Sequence, residues 1–338
     1  MSYLLEKIKE YWKKYWVIFV SGFVSAVLCF SFMVTFFNRN YAIGMIKNQF
    51  GELERVLNSL GYDYAYDNVT FYSFSPWQIM RIKNLRIYSL DEDNFMQWNI
   101  DDFNVDVGLW RHNKVRVFLG SKQSLQIGKD VWNIYLPDSE LDVKVKANNF
   151  QKAVLKANDI VIKNLIDIKD LSLAIDKNKM SSFEVELDVK AIHIDDMTGW
   201  KLNKDIDHVY IKSSLQDYLN FDMDFAESLY DWRDRGGKLV VEKMILNWKP
   251  LIMVANGDVS FNKKFEPKIS LNTASFALIE TLEKLNAHGF ISNKGTFVVK
   301  ILLNNKAVRQ KSSDKYKMVK SPLKITKDKV LLENIRIR

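Results

Sequence analysis

The residues most able to support catalysis or metal binding are scattered along this chain of 338 residues. The four histidines are not spaced as metal ligands are, and a single cysteine, Cys29, rules out both an intramolecular disulfide and a common zinc site. We expect the histidines to be ordinary surface or strand-edge residues, with one in a turn and one at a helix end. They are His112, His193, His208 and His288.

Two pairs of adjacent aspartates could in principle act as an acid and a base. They are Asp101-Asp102 and Asp195-Asp196. Because neighbouring residues of a strand point to opposite faces, neither pair can work as a couple alone, and we interpret both as turn residues. The sequence also lacks the glycine-rich phosphate loops, the HExxH motif and the GxSxG motif. We therefore predict that the protein is not an enzyme and needs no cofactor or metal.

The stretch DWRDRGGKLVVEKMILNW, residues 231–248, resembles a site because it concentrates tryptophan, arginine and aspartate around two glycines. It has two interpretations, a loop that holds a ligand or a joint between a helix and a strand. We favour the joint, since Trp232 completes a helical stripe and Gly236-Gly237 can end a helix in a left-handed turn. On that interpretation residues 233–235 are exposed to water.

The elements that would position such residues begin with an apolar segment. Residues 16–37, WVIFVSGFVSAVLCFSFMVTFF, contain no charged residue, Asn, Gln or Pro. As a helix they would extend about 33 Å, enough to cross a hydrocarbon core of ~30 Å. The segment is too long for a signal-peptide core and no small-x-small site follows it, so we expect a lasting anchor. Its lipid-facing side chains would include Trp16, Phe19, Phe23, Leu28, Phe32 and Phe36.

Flanking charge predicts how the anchor is oriented. Positive flanks stay in the cytoplasm, so residues 1–15 would be a cytoplasmic lead-in and the bulk of the chain would be periplasmic, at a bacterial inner membrane. Residues 38–60 would form a membrane-proximal helix ended by Gly61, and residues 61–338 a β-rich domain with possible halves 61–215 and 216–338. The lysines that precede the anchor are Lys7, Lys9, Lys13 and Lys14.

Beyond residue 61 the hydrophobic period changes to two, which indicates strands. Residues 183–194, FEVELDVKAIHI, alternate apolar and charged side chains, and residues 141–147 and 159–175 behave similarly. We also predict a hairpin turning at residues 111–113, and closing strands at 295–303 and 329–337. One apolar and one charged face per strand predicts a large, extended antiparallel sheet that is covered on one side, and we hypothesise a groove-like or half-barrel-like shape for it.

Two helices interrupt the second half of the sequence. One stripe runs from Phe221 to Trp232, and another occupies residues 275–289, with Ser275 as a possible N-cap and Gly289 as a stop. The fold class is therefore mainly β with a few helices, an α+β protein behind a single transmembrane helix.

Most of the sequence from residue 40 to residue 338 resembles an uncharacterised family of alphaproteobacterial envelope proteins, known only as a domain of unknown function. Residues 61–88 are similar to the beginning of that family's domain and also to the start of AsmA-like proteins, whose long sheets form apolar grooves between membranes. The sequence departs from the family pattern at 73–76, which lacks the usual Gly, and at Lys249. The positions that match are Trp232, Gly236, Gly237, Trp248, Pro250 and Gly257.

The net charge of +8 is concentrated near the C-terminus. Residues 294–338 hold 13 Lys and Arg against 3 Asp and Glu, so the other residues sum to −2. This segment could be a set of solvated strand faces or a patch for anionic headgroups. Nucleic acid is disfavoured, because the cations do not alternate with stacking aromatics.

The sequence supports two functional hypotheses. The first is a membrane-anchored periplasmic protein whose apolar sheet face binds or transfers lipid or apolar chains. The alternative is an envelope scaffold that docks periplasmic or membrane proteins.

Overall fold

The computed structural model is mainly β, with 71% of the described residues in strands and three helices among them. This confirms the predicted fold class at the level of a large antiparallel sheet with a few helices. The described residues are Gly44, Asn58 and 61–337, apart from 73–76, 90–94, 109–110, 147–148, 178–182, 196–202, 218–224, 264–265, 288–290, 307, 310–316 and 327–328.

The strands follow each other in a long series with three helices inserted late in the chain. The strands are β1 (Tyr62–Ala65), β2 (Asn68–Tyr72), β3 (Trp77–Ser89), β4 (Met96–Gly108), β5 (Arg111–Leu119), β6 (Lys122–Ile127), β7 (Asp130–Tyr135), β8 (Asp138–Lys146), β9 (Asn149–Ile162), β10 (Ile166–Lys177), β11 (Phe183–Ile194), β12 (Asp205–Gln216), β13 (Lys238–Trp248), β14 (Leu251–Phe261), β15 (Pro267–Phe276), β16 (Val308–Arg309), β17 (Lys317–Thr326), β18 (Lys329–Leu332) and β19 (Ile335–Arg336). The helices are α1 (Phe225–Asp234), α2 (Leu278–Ala287) and α3 (Asn293–Lys306).

The sheet is an antiparallel meander. From β8 to β15 each strand pairs with the next one in sequence, and β15 then pairs with β17 across the insertion of α2 and α3. At the N-terminal end, β5 and β6 pair with different parts of the long strand β4. The strand β7 then pairs with β6, and β8 pairs with β5. Pairing of β12 with β13 carries the sheet across the possible division at residue 215.

The apolar-polar alternation shifts by one residue along a line that crosses the sheet, which we call the bend line. In β9, Ala157 and Ile160 are both buried although residues three apart in a regular strand face opposite ways. The shift requires one extra residue that points outward in each strand. In three strands this residue has a positive φ: Asn84 (51°), Asp159 (50°) and Ala191 (49°). Cross-strand register aligns the outward pairs Lys83–Asn84, Asp101–Asp102, Asn158–Asp159, Lys169–Asp170, Lys190–Ala191 and Asp207–His208.

One predicted strand is wrong and another is divided in two. Residues 295–303 belong to the helix α3, in which Thr296, Val299 and Leu303 are buried at a spacing of three and four residues. Residues 329–337 form two short strands, β18 and β19, with a turn between them. A short apolar run fits either a strand or a buried helix, so tertiary packing rather than periodicity decides it.

Several predicted turns and ends also differ from the structure. Arg111–Asn113 lie in β5 rather than in a turn, and Asp101-Asp102 lie within β4. Ser275 is not an N-cap, because it lies buried in β15 and its hydroxyl donates to the Val319 carbonyl oxygen. The helix α2 begins beyond Ala277, whose φ is 55°.

The 231–248 stretch forms a helix-to-strand joint. Gly236 has a φ of 84°, the left-handed conformation that terminates α1, and β13 starts at Lys238. The prediction of exposed residues at 233–235 is wrong for Arg233, whose side chain is only 9% exposed and donates to the Lys263 carbonyl oxygen.

The predicted anchor, including Trp16, Phe19, Phe23, Leu28, Phe32 and Phe36, lies outside the described residues, as do the lead-in and nearly all of 38–60. Gly61, predicted to end that helix, has a φ of 79° and donates to the Asn58 carbonyl oxygen. Among the described residues, no helix has the length and apolar character needed to span a membrane.

Candidate functional site

The feature that could bind a ligand is one face of the sheet. Directly paired residues of an antiparallel sheet share a face, so the register identifies continuous rows of side chains. One row crosses the sheet from β2 to β17 and is almost wholly apolar. Its members are Phe71, Met80, Val105, Val117, Leu141, Leu155, Leu173, Leu187, Ile211, Met244, Ala255, Thr273 and Ser321.

Burial varies along this apolar face. At the β2–β5 end Met80 and Val105 are buried in a core with Ile82 and Ile100. At the other end Ala255 is also buried. Between the two ends, on β8–β12, ten apolar side chains of this face are partly exposed, whereas Ala157, Val189 and Ser213 of the same face are buried. This central apolar surface consists of Leu141, Val143, Leu155, Leu171, Leu173, Ile175, Val185, Leu187, Val209 and Ile211.

Two of the helices cover the C-terminal end of the apolar face. The helix α3 contacts β17 and β19, and α2 contacts β14. Leu282 of α2 and Val299 and Leu303 of α3 share a buried core with Val319 and Leu332 of the sheet. The third helix, α1, contacts strand ends: its Trp232 indole donates to the carbonyl oxygen of Gln216 at the end of β12 (2.8 Å), and its ring lies 6.2 Å from that of Phe261 at the end of β14.

The opposite face of the sheet carries cross-strand ion pairs on β8–β12, although on β14 it exposes Ile252 and Val254 (43% and 44%). Lys152 Nζ lies 2.8 Å from Asp176 Oδ2, and His208 Nε2 lies 2.7 Å from Asp188 Oδ1. Such exposed pairs contribute little to stability, but they keep this face hydrated. The charge therefore marks the solvent side and leaves the central apolar surface as the candidate binding surface.

Two carboxyls of β4 on the polar face have pKa values shifted in opposite directions. The Arg81 guanidinium donates two hydrogen bonds to Asp102, with lengths of 2.8 and 2.6 Å, and lowers the pKa of that carboxyl. Burial raises the pKa of Asp106, although Arg116 opposes the shift. Both carboxyls have an unfolded pKa of ~3.9. The two shifts should therefore change the free energy of unfolding in opposite directions as the pH rises.

We predict that Asp106→Asn stabilises the protein at pH 7. A carboxyl whose folded pKa is raised contributes stability below its unfolded pKa, and that contribution is lost as the pH rises. Replacing it by Asn removes this loss, with a gain below about 1 kcal/mol for a partly exposed charge. Urea unfolding followed by circular dichroism at pH 7 and at about pH 3 measures the gain, which should vanish at the lower pH.

Asp102→Asn is the matched control on the same strand and should behave in the opposite way. Its lowered folded pKa contributes stability above the unfolded pKa, which is lost as the pH falls. The variant should therefore be less stable than the wild type at pH 7 and approach it under acid conditions. The same sign for both variants would contradict the electrostatic assignment.

The structure does not bring the sequence-predicted chemical residues together. His193 pairs with Asp205 on β12, and His208 pairs with Asp188 on β11, both on the sheet surface. His112 lies in β5, Asp195 follows β11, and His288 and Asp196 are outside the described residues. Within the part of the chain that the structure describes, no three His, Cys, Asp or Glu side chains could hold a metal ion together.

Four of the six motif residues, Trp232, Gly237, Trp248 and Gly257, have contacts of a structural kind. The ring of Trp232 packs against Gly237, where an added Cβ would lie 2.3 Å from indole atoms. The Trp248 indole donates to the Asn203 carbonyl oxygen (2.8 Å), beside the turn that contains Pro250. Gly257 allows close approach of β14 to β15, because a Cβ there would lie 2.0 Å from the Ser270 carbonyl oxygen.

Sequence reasoning missed the bend line and the exposed outer side of α3. Adjacent polar residues in the middle of a strand, such as Asp101-Asp102 and Asn158-Asp159, were the available signal for the bend line. Comparison of the chain with models of protein families and with curated proteins gives no match. The resemblance found in residues 61–88 and 232–257 therefore stays a prediction.

Proposed function

We propose that the protein binds lipid or lipid-like apolar chains on the central apolar surface, as part of an anchored protein of the bacterial envelope. The observation that carries the proposal is the set of ten partly exposed Leu, Ile and Val side chains on β8–β12, which surround the buried Val189 and lie between two ends where the same face forms buried cores. Water contact at so many adjacent apolar side chains is unfavourable, and an apolar ligand would relieve it.

The bend line supports a groove-like shape for this region. Residues on the line, such as Asp159 and Ala191, are exposed, whereas the apolar side chains on either side of it, such as Ala157 and Ile160, are buried. We infer that the extra outward residues bend the sheet at this line with its apolar face on the inside. The faint AsmA-like similarity of residues 61–88 agrees with such a groove.

The dimensions and the energetics suit one acyl chain. Five strands at a spacing of ~4.8 Å make the central apolar surface about 19 Å across, whereas one leaflet of a ~30 Å hydrocarbon core is about 15 Å thick. Each methylene removed from water contributes about 0.8 kcal/mol, so ten of them gain about 8 kcal/mol before the cost of immobilisation. No charged side chain of this surface would need to be desolvated.

The location is proposed from the sequence. The apolar segment 16–37 would hold the chain in the inner membrane with residues 1–15 in the cytoplasm, so that the β-rich domain would face the periplasm. A tether of this kind would keep the sheet close to a source of lipid.

Lipid analysis of the purified full-length chain tests the proposal. The chain is extracted with detergent, washed, and examined by native mass spectrometry for bound lipid, and a fluorescent fatty acid is then titrated against it. We expect bound phospholipid or fatty acid that the fluorescent probe displaces in a one-to-one ratio. A chain that carries no lipid and binds no probe would contradict the proposal.

Crosslinking in cells distinguishes the scaffold alternative. Photoreactive groups on the central apolar surface, for example at Leu155 or Leu187, should form adducts with lipid. Adducts with one defined envelope protein instead would favour docking of a protein and overturn lipid binding at this surface.

A further inference from the structure

The helix α3 has two apolar faces, of which only one is buried. Thr296, Val299 and Leu303 face the core and are at most 5% exposed. At about 100° per residue, four apolar residues that lie between these core-facing positions in the sequence point to the other side of the helix. These are Phe297, Val298, Ile301 and Leu302, with exposures of 66%, 45%, 49% and 37%, and we call them the outer stripe.

The charge of α3 has one sign. The helix contains Lys294, Lys300 and Lys306 and no acidic residue. Lys294 is exposed and lies seven residues before Ile301, which places it on the outer side. Lys300 forms an ion pair with Glu283 of α2 and so belongs to the joint between the helices.

An apolar stripe beside an exposed lysine on a surface helix has the character of an interfacial helix, which lies in the headgroup region with its apolar side chains in the acyl boundary. A protein partner would equally cover the stripe, but it would not require a helix without any acid. The positive charge complements anionic headgroups.

We propose that the outer stripe is a docking surface for an anionic phospholipid bilayer. The apolar side chains insert at the acyl boundary, and Lys294 contacts lipid phosphate. The core-facing residues Val299 and Leu303 hold α3 on β17 and β19, so that docking positions the C-terminal end of the sheet against the membrane. This inference goes beyond the proposed function and does not require a ligand on the central apolar surface.

A fluorescent label on the outer stripe tests the proposal in the full chain. The single cysteine is first removed as Cys29→Ser, and Ile301→Cys is then labelled with an environment-sensitive nitrobenzoxadiazole dye. The chain is reconstituted with vesicles of phosphatidylcholine containing phosphatidylglycerol, with and without acyl-chain spin labels. We expect blue-shifted emission and quenching by the spin-labelled lipid, both weaker in pure phosphatidylcholine.

The matched control is Val131→Cys on β7, another exposed apolar position (55%), which should show neither change. Lys294→Gln should lower the ratio of docked to undocked α3 about fivefold, which corresponds to about 1 kcal/mol for one lysine near an anionic surface. Phe297→Asp should reduce the quenching further. Circular dichroism shows whether each variant keeps its fold.

Three outcomes overturn the proposal. Quenching at Ile301→Cys that matches Val131→Cys means that the outer stripe does not enter the bilayer. A blue shift without quenching by lipid means that protein covers the stripe, either from this chain or from a second copy. Equal quenching in neutral and anionic vesicles means that charge does not contribute to docking, and it overturns the assignment of an anionic bilayer as the partner. Loss of lipid binding at the central apolar surface would leave all three readouts intact, so the two proposals fail separately.

Discussion

Trp232→Ala is expected to lower the free energy of unfolding by about 3–5 kcal/mol, as truncation of a large buried aromatic side chain usually does. Trp232 is 3% exposed, its ring lies 6.2 Å from that of Phe261, and its indole donates to the Gln216 carbonyl oxygen. The loss is a large share of a typical total stability of about 5–15 kcal/mol. Urea unfolding followed by far-ultraviolet circular dichroism measures it without relying on tryptophan fluorescence.

Trp248→Ala is the matched control, since the Trp248 indole also donates to a backbone carbonyl oxygen but the residue is only partly buried. Its effect should be clearly smaller than that of Trp232→Ala. Gly237→Ala supplies a sharper test, because its new methyl group would collide with the Trp232 indole. In a double-mutant cycle the cost of Gly237→Ala should shrink in the Trp232→Ala background, and additive costs would contradict the packing account.

The strands were the most predictable part of the fold. In β11, apolar and charged residues alternate from Phe183 to Lys190, and the structure gives a strand over the predicted residues 183–194. The alternation predicts strands because one face of the sheet is apolar and the other is in water. The meander also follows from short connections between consecutive strands, of which Lys163–Leu165 is an example.

The bend line was not predictable by the same reasoning. An alternation rule expects each polar residue to follow an apolar one, so Asp101-Asp102 suggested a turn that would end the strand. In the structure β4 continues through both residues, because the neighbouring strands shift their alternation at the same height. Only the cross-strand register shows this, and one sequence contains no information about register between distant strands.

The helix α3 was mistaken for a strand because its sequence is apolar on two sides. Thr296, Val299 and Leu303 fit a helical period, but Phe297, Val298, Ile301 and Leu302 fill the positions that are polar in an ordinary surface helix. Without a polar face, periodicity does not separate the two structures. The outer stripe, which made the sequence of α3 resemble a strand, is also the proposed bilayer-docking surface.

The sequence predicted that the candidate site is an apolar sheet face, but it did not predict on which strands that face stays accessible. The alternation predicts that one face of the sheet is apolar along its whole length, yet the two ends of that face are buried by different means. The β2–β5 end packs with aromatic residues such as Tyr64 and Trp98, and the other end is covered by α2 and α3. Which strands remain accessible is a result of tertiary packing.

Leu173→Asp is expected to weaken binding of an acyl chain more than 100-fold. Leu173 lies near the middle of the central apolar surface, between Leu155 and Leu187. Without ligand the new carboxylate reaches water, so the fold should persist. A bound acyl chain would cover the charge without a partner, and burial of an unpaired charge costs several kcal/mol, of which each 1.4 kcal/mol is tenfold in affinity. Titration with a fluorescent fatty acid at pH 7 measures the change.

Ser172→Asp is the matched control, since residue 172 is adjacent in the same strand and points to the polar face between Lys156 and Asp188. It introduces the same charge into the same strand, so the two variants differ in the face that receives the carboxylate and should differ sharply in binding. Acidification adds an independent check, because protonation of the carboxyl introduced by Leu173→Asp removes its charge under the ligand and binding should return. If both variants bind alike, or if acid restores nothing, the ligand does not lie on this face, since a bound chain in contact with residue 173 must sense its charge.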